Sequence, residues 1–210
     1  MSTGDFPTAL EAILGVNAKN ISANTIVRLK DTWEKEYLDW SIRDLSNKKY
    51  IYFWTDAIHL NVRLQKERPC ILVIMAADQD GNKELLAVSD GLSESKISWK
   101  DILLDLRHRG LSELPKLAVG DGALGFWSAL TEVFPDTLNQ RCWVHKTRNI
   151  LDKLPKSLRP QAKNNIQSMY MAPNKKEAYK EFDKFIEIYQ DKYPKATECL
   201  QKDKDTLFTF

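Results

Sequence analysis

Two aspartates stand at the ends of hydrophobic stretches, where a carboxylate is an unusual choice for packing. Asp56 follows an aromatic run in YFWTDAIH, and Asp121 lies between two glycines in LAVGDGALGFW. A charged side chain beside a buried strand costs free energy unless it is paired or binds a cation. Two carboxylates held close together offer the hard oxygen ligands that Mg²⁺ or Mn²⁺ prefers. Two such ions, about 4 Å apart, stabilise the attacking and leaving oxygens of a phosphoryl transfer.

Each of these positions also has a structural interpretation. Asp121 suits a turn or a helix N-cap, because Asp and Gly are both favoured there. In the metal-site interpretation, Gly120 and Gly122 would let the backbone turn sharply and let a phosphodiester approach. His59 follows Asp56 by three residues and either supports the site or simply lines its strand, and the second interpretation is favoured.

A second candidate motif is Cys142-Trp-Val-His145. Cys and His both bind zinc, but a structural zinc site usually needs four ligands. The other two cysteines, Cys70 and Cys199, have no matching spacing, so packing and hydrogen bonding are favoured for this pair. Three widely spaced cysteines also argue against a disulfide framework and for a reducing cytoplasm.

The elements that would position these residues follow the order β-β-β-α-β-α-β-α. Three antiparallel strands are predicted in YIYFWTDAI, CILVIMAAD and KELLAVSD, with HLNVRL either extending the first strand or bending out of it. Then come a helix in SWKDILLDLRHRG, a strand in KLAVGD, a helix in ALGFWSALTEVF, a short strand in NQRCWVH and a helix from KTRNILDKL. This order predicts an α/β protein with a mixed sheet, as in the ribonuclease-H-like fold.

The flanking regions differ from this core in composition. Residues 1–49 are predicted to be helical and form either a helix-turn-helix or a plain helical hairpin, and residues 151–210 are helical, Lys-rich and broken by prolines. Hydrophobic residues make up 43% of the chain, charged residues 29%, and the net charge is +2, as in an ordinary globular protein. The sequence shows no apolar run long enough to span a membrane. Its last residues, LFTF, are expected to be exposed and to leave the helical region poorly folded.

Together these stretches resemble the mutator-type transposases of bacterial insertion sequences, a family of DDE recombinases. The resemblance is carried by FWTDAIHLNVRL, ILLDLRHRGL, KLAVGDGALGFWSAL and VFPDTLNQRCWVHKTRNILDKLPKS. It implies a ribonuclease-H-like catalytic domain in which Asp56 and Asp121 are the first two acidic residues and bind Mg²⁺ or Mn²⁺. Cys142 and His145 would be the family's Cys-x-x-His motif, which supports the active-site region.

The resemblance also implies partners and a domain plan. The partners would be DNA, as terminal inverted repeats and target DNA, and further copies of the full-length protein in a homo-oligomer. Residues 1–49 would end a DNA-binding domain, 50–150 would be an incomplete catalytic core, and 151–210 would begin a helical insertion. Candidate phosphate contacts are Arg28, Lys30, Lys146 and Arg148, each of which could also be an ordinary surface charge.

The family's final catalytic Glu lies in a segment of the Asn-Pro-Ile-Glu-Ser type, and the sequence contains no such segment. The expected function is therefore that of a transposase which cleaves and transfers DNA strands with a metal ion, but which is inactive as this chain alone. The alternative is a non-catalytic fragment that binds DNA or subunits and interferes with a full-length relative. A stand-alone ribonuclease-H-like nuclease is disfavoured, because no further acidic residues stand at suitable places in the core.

Overall fold

The computed structural model describes residues 22–59, 70–91, 94–122 and 124–209. The chain forms two compact units, residues 1–44 and 45–210. The first contains helix α1 (Ala23–Ser41), where the predicted N-cap Ser22 accepts a hydrogen bond from the backbone N–H of Thr25 at 3.2 Å. The segment FPTALEAILG and residues 60–64 lie outside the described residues. The helix-turn-helix and the course of HLNVRL therefore stay predictions.

Five strands in the described part of the second unit form one mixed sheet. They are β1 (Tyr52–His59), β2 (Cys70–Ala77), β3 (Lys83–Gly91), β4 (Leu117–Gly120) and β5 (Leu138–Arg141). Their order is β3-β2-β1-β4-β5. Strand β2 is antiparallel to β1 and β3, whereas β4 is parallel to β1 and β5. These directions are those of a ribonuclease-H-like sheet, so the predicted fold class is confirmed.

The turn between β2 and β3 forms where the Asp-Gly pair predicts it. The carboxylate of Asp78 accepts the backbone N–H groups of Asp80 and Asn82, both at 2.9 Å. Gly81 has a φ of +83°, in the left-handed region that glycine adopts without strain. This local closure sets the antiparallel start of the sheet.

Helices α2 (Lys96–His108) and α3 (Leu124–Val133) pack together against the sheet and enclose the main core. Among its members Phe53 meets Phe134 edge-on with ring centroids 6.2 Å apart, and Trp99 meets Phe126 at 5.1 Å. A Cβ on Gly125 would lie 2.9 Å from the backbone of Ser95 and Lys96. Glycine thus lets α3 pack closely against the start of α2.

The fifth strand is shorter than predicted, and the Cys-x-x-His motif does not lie on it. Strand β5 ends at Arg141, and helix α4 (Trp143–Leu151) begins directly afterwards with Cys142 as its N-cap. The backbone N–H of Cys142 still bonds the carbonyl of Gly120 at 2.8 Å, while its own carbonyl accepts from Lys146 at 3.0 Å. The chain therefore changes from sheet to helix at this residue. The predicted strand in NQRCWVH is therefore wrong beyond Arg141.

The remaining residues form a helical region with its own core. After α4 come a 3₁₀ turn (Lys156–Leu158), α5 (Arg159–Tyr170), α6 (Lys175–Tyr189), α7 (Pro194–Gln201) and α8 (Lys204–Leu207). Leu207 and Phe208 are buried, so the expected exposed tail was wrong for these residues. Phe208 packs on Trp143, Tyr179 and Phe182. Hydrogen bonds from Thr209 to Asn139 and Gln140 join this end of the chain to β5.

Candidate functional site

Asp56 and Asp121 emerge at the same edge of the sheet. Strands β1 and β4 are parallel, with Thr55 opposite Gly120, so the next residue on each chain is one of the two aspartates. Both line a cleft of about 130 Å³, together with Thr55, Ala57, His59, Glu94, Trp99, Phe126 and His145. The side chains of Asp56 and Asp121 are 56% and 46% exposed. The structure thus brings the two predicted carboxylates into one open cleft.

The glycines around Asp121 serve close packing and have no left-handed backbone. Among the described glycines only Gly81 and Gly110 have positive φ. A Cβ on Gly120 would lie 2.7 Å from Oγ1 of Thr55, and one on Gly122 would overlap the guanidinium of Arg141. Glycine at positions 120 and 122 is therefore explained by the room it leaves for a neighbouring side chain, and not by the expected sharp turn.

Arg141 is the nearest cation to the cleft carboxylates, and the sequence analysis did not single it out. Its Nη1 lies 2.5 Å from Oδ1 of Asp121, and its Nε lies 3.1 Å from Oδ2 of Asp203. These are ion pairs without well-aligned hydrogen bonds. Oδ1 of Asp121 also accepts the backbone N–H of Gly122 at 2.7 Å. One carboxylate oxygen is thus committed to protein donors, which fixes the side chain's orientation.

The partner of Arg141 belongs to a larger ion-pair network. Asp203, just before α8, also binds Nζ of Lys146 at 2.7 Å, and the Lys146 side chain is 2% exposed. The proposed DNA contact of Lys146 is corrected by this position, because a buried ammonium already paired with a carboxylate is not presented to a phosphate. The series of ion pairs Lys146–Asp203–Arg141–Asp121 thus connects the helical region to the cleft.

Two imidazoles lie beside the cleft carboxylates. Nε2 of His145 lies 3.8 Å from Oδ1 of Asp56, and Nε2 of His59 lies 3.6 Å from Oε2 of Glu94. Nδ1 of His145 is buried and has no hydrogen-bond partner among the described residues. His59 therefore lines the cleft as well as its strand, which its spacing after Asp56 had suggested as the less favoured interpretation.

Glu94 is a third carboxylate in this cleft, and the sequence analysis missed it. It directly precedes Ser95, the N-cap of α2, whose hydroxyl accepts from the N–H of Ser98 at 3.1 Å. Burial raises the pKa of Glu94, the charge of His59 lowers it, and the negative charge of Asp121 raises it further. The only sequence signal was a Glu before a helix cap, a pattern common at helix starts that carry no function.

The described cleft residues match a Mg²⁺ or Mn²⁺ site in the type of ligand but not in the number of ligands. Carboxylate oxygens on two open side chains are the donors that Mg²⁺ and Mn²⁺ prefer, so the residue types fit. In the described parts of the chain, however, no three His, Cys, Asp or Glu side chains lie close enough to hold a metal ion together. Cys142 is not among the residues that line the cleft, and all three cysteines are free thiols. Of the Cys-x-x-His motif, His145 thus lines the cleft, whereas Cys142 is the N-cap of α4.

The other predicted phosphate contacts are open to solvent. Arg28 and Lys30 are exposed on α1, and Arg148 is exposed on α4. Exposed cations of this kind attract a polyanion without selecting its sequence.

None of the helices that the structure describes is both long and apolar enough to cross a bilayer.

Comparison with known proteins matches the whole chain to one protein family. The model of the family "Transposase, Mutator family" matches residues 1–210. The transposase for insertion sequence element IS6120 of Mycolicibacterium smegmatis is 46% identical over 210 residues, which cover 100% of this chain and 64% of that protein. The transposase for insertion sequence element IST2 of Acidithiobacillus ferrooxidans is 46% identical over 202 residues, covering 96% and 68%. The chain thus spans about two thirds of the length of these two relatives.

Among solved structures, the chain is similar to the catalytic core domain of HTLV-2 integrase in complex with magnesium, in its trimeric form. The identity is 17%, the match covers 63% of this chain and 90% of that chain, and the TM-score is 0.32.

Proposed function

The chain belongs to the Mutator family of transposases, and from this premise we propose that it carries the metal-binding part of a DNA strand-transfer site. In this proposal Asp56 and Asp121 bind Mg²⁺ or Mn²⁺, and the DNA is the end of a bacterial insertion sequence. The observation that supports it most directly is the position of both carboxylates at one edge of the sheet, in one open cleft.

The chain's own residues would divide the work at this cleft. Asp56 is the more open carboxylate and has His145 at 3.8 Å, whereas Asp121 is held by Arg141 and the N–H of Gly122. A bound divalent ion would activate water or a 3′-hydroxyl and stabilise the leaving oxygen of the cleaved phosphodiester. His145, 3.8 Å from Asp56, would orient that carboxylate, and Arg141 would hold one oxygen of Asp121 and leave the other for the metal ion.

DNA binding and assembly are part of the same proposal. Arg28, Lys30 and Arg148 would contact phosphates of the terminal inverted repeats or of target DNA, and the full-length protein would act as a homo-oligomer. Residues 1–49 would belong to a DNA-binding domain, 50–150 to the catalytic core and 151–210 to the helical insertion. Phosphate contacts supply affinity, and base contacts elsewhere would supply sequence preference.

We expect the chain by itself to bind metal weakly and not to cleave DNA, because among the described residues the cleft carboxylates Asp56, Asp121 and Glu94 do not lie close enough together to hold one ion. The resemblance places the third ligand in a Glu-containing segment that this sequence does not contain. One observation also favours a second function. With Arg141 2.5 Å from Asp121, the cleft carboxylate is partly neutralised without a metal, as suits a non-catalytic chain that binds DNA or subunits and interferes with a full-length relative.

The metal site is tested without DNA by titrating the chain with Mn²⁺ and following the free ion by electron paramagnetic resonance. Asp56→Asn and Asp121→Asn should each weaken binding at least tenfold, while Asp136→Asn, at an exposed turn position, should not. Equal Mn²⁺ binding by all four proteins would refute the assignment of the two carboxylates.

The function itself is tested with Mg²⁺ and a duplex that ends in the element's inverted repeat. No cleavage by this chain, together with inhibition of a full-length relative, supports the second function. Cleavage that is lost in Asp121→Asn would instead establish catalysis and contradict the expected inactivity.

A further inference from the structure

A second cavity of about 630 Å³ lies beside α4, outside the cleft described above. Its walls include the aromatic rings of Trp143 and Tyr170, whose centroids are 5.5 Å apart at a tilt of 47°, and the side chain of Leu151. Val144, also in its lining, is 77% exposed. The volume is within the range of roughly 300–1,000 Å³ typical of ligand sites. Apolar and aromatic walls of this kind suit a flat, unsaturated ring.

Three cations (Arg148, Arg159 and Lys163) and one carboxylate (Asp152) line the same cavity, so its lining carries a net positive charge. Arg148 and Lys163 line it and are exposed, and among the described residues neither has a carboxylate within ion-pairing distance. The third cation, Arg159, is 3.6 Å from Asp152 and donates to the carbonyl of Leu154. Two free cations beside an aromatic wall match a ligand that combines a ring with a phosphate, as a nucleotide does.

The position of α4 connects this cavity to the carboxylate cleft. His145 lines the cleft, and Arg148 lines the cavity three residues later on the same helix. Three helical residues rise about 4.5 Å and turn about 300°, so the two side chains are about 60° apart around the axis. That rise is comparable to the axial spacing of roughly 3.4 Å per nucleotide in one stacked strand. The cleft and the cavity are therefore lined by neighbouring turns of one helix, so a strand bound in the cleft would pass close to the cavity.

We propose that this cavity, formed by Trp143, Val144, Arg148, Leu151, Lys163 and Tyr170, binds an unstacked base of the DNA strand that occupies the cleft. Arg148 and Lys163 hold the flanking phosphates while the base enters the aromatic wall. The inference rests on the proposed function for its choice of DNA as the ligand. It adds the requirement for an unpaired nucleotide beside the cleavage point. Base–aromatic stacking is worth about 1–3 kcal/mol per base, so an unpaired base should change affinity measurably.

The test uses the whole chain and two short hairpin duplexes of the same sequence, one blunt and one with an unpaired 3′ tail carrying 2-aminopurine. Affinity is measured by fluorescence anisotropy at fixed ionic strength, and stacking by quenching of 2-aminopurine emission. The tailed duplex should bind about tenfold more tightly than the blunt one, with quenched emission. Val144→Asp places a carboxylate at the cavity without disturbing buried packing, and it should remove this difference and the quenching. The matched control is Ile188→Asp, on an exposed α6 position outside the cavity, which should change binding less than twofold.

Equal affinity for the two duplexes, or unquenched emission in the unmodified chain, would overturn the proposal. Equal losses in Val144→Asp and Ile188→Asp would do so too, since a general charge effect would then explain them. A loss of blunt and tailed binding by the same factor in Val144→Asp alone would reduce the cavity to a phosphate contact and also refute base binding. The Mn²⁺ titration above contains no DNA, so failure of the metal site and failure of this cavity are separate results.

Discussion

Replacing Asp203 with Ala should destabilise the protein far more than its partly exposed position suggests. Asp203 is the carboxylate that pairs with Lys146 at 2.7 Å and with Arg141 at 3.1 Å. The Lys146 side chain is 2% exposed and that of Arg141 is 10% exposed. Asp203→Ala therefore leaves a buried ammonium without its counter-charge, whereas Arg141 keeps Asp121.

The size of the effect follows from these burials. Removing one partner of a buried ion pair costs about 3–5 kcal/mol, because the remaining charge is left unpaired away from water. Asp203 itself is 23% exposed, and water can approach the vacated site, so the lower end, about 3 kcal/mol, is expected. For a protein of this size that lowers Tm by about 6–12 °C. Asp205→Ala, two residues later at an exposed position, should cost less than about 0.5 kcal/mol.

The assay is urea unfolding of the full chain, followed by circular dichroism, for a double-mutant cycle with Lys146→Met. If the cost of Asp203→Ala comes from the unpaired ammonium, the double variant should recover most of it, since an apolar side chain needs no counter-charge. A loss below about 1 kcal/mol in Asp203→Ala would refute the reasoning. A full loss that Lys146→Met does not recover would show instead that Asp203 acts through Arg141.

Three further substitutions test the packing and the electrostatics around the cleft. Gly120→Ala should lower the free energy of unfolding in urea by about 1–3 kcal/mol, because the new Cβ would lie 2.7 Å from Oγ1 of Thr55. Adding Thr55→Ala should recover part of this loss. An unchanged stability of Gly120→Ala would contradict the clash. Phe208→Ala should lower the free energy of unfolding by about 3–5 kcal/mol, since the ring is 1% exposed. Ile188→Ala, at an exposed position, is the control. Similar small losses in both variants would show that the end of the chain is not part of the core. The pKa of Glu94 is raised above 4.5 in the folded protein, so the folded state keeps a proton that the unfolded state has already lost, and stability falls as pH rises from 4.5 through the raised value. Glu94→Gln should therefore stabilise the protein at pH 7 and leave it unchanged at pH 4, and equal effects at both pH values would contradict the assignment.

Much of the fold was predictable because local signals and the hydrophobic pattern agreed. The strand around Phe53 is rich in aromatic and β-branched residues, the Asp-Gly pair closes the next hairpin, and a helix separates the third and fourth strands. A helical crossover joins parallel strands, so β4 is expected to run parallel to β3 and hence to β1, and the ribonuclease-H-like order predicted from the elements places β4 beside β1. The meeting of Asp56 and Asp121 at one edge of the sheet then needs no further information.

Two predictions were wrong, one at the end of a strand and one at the end of the chain. NQRCWVH was predicted as one strand, but β5 ends at Arg141, and the carbonyl of Cys142 accepts from the backbone N–H of Lys146, a hydrogen bond of helical spacing. The apolar end of the chain resembles an exposed tail in sequence, yet Phe208 enters a core built by helices about 30 and 65 residues earlier (Tyr179 and Trp143). The ring contacts of Phe208 leave no signal within its own segment.

The sequence by itself determined the order of the elements and the two strand-end carboxylates, because both depend on residue type and spacing along a short stretch. Only the tertiary structure decided what surrounds those carboxylates. Arg141 on Asp121, Lys146 buried against Asp203, and Glu94 facing Asp121 are charges far apart in the chain. Whether such a charge lies in solvent or in an ion pair depends on distances of a few ångströms that packing alone sets. Near Gly122 the same packing explains a glycine by the guanidinium beside it.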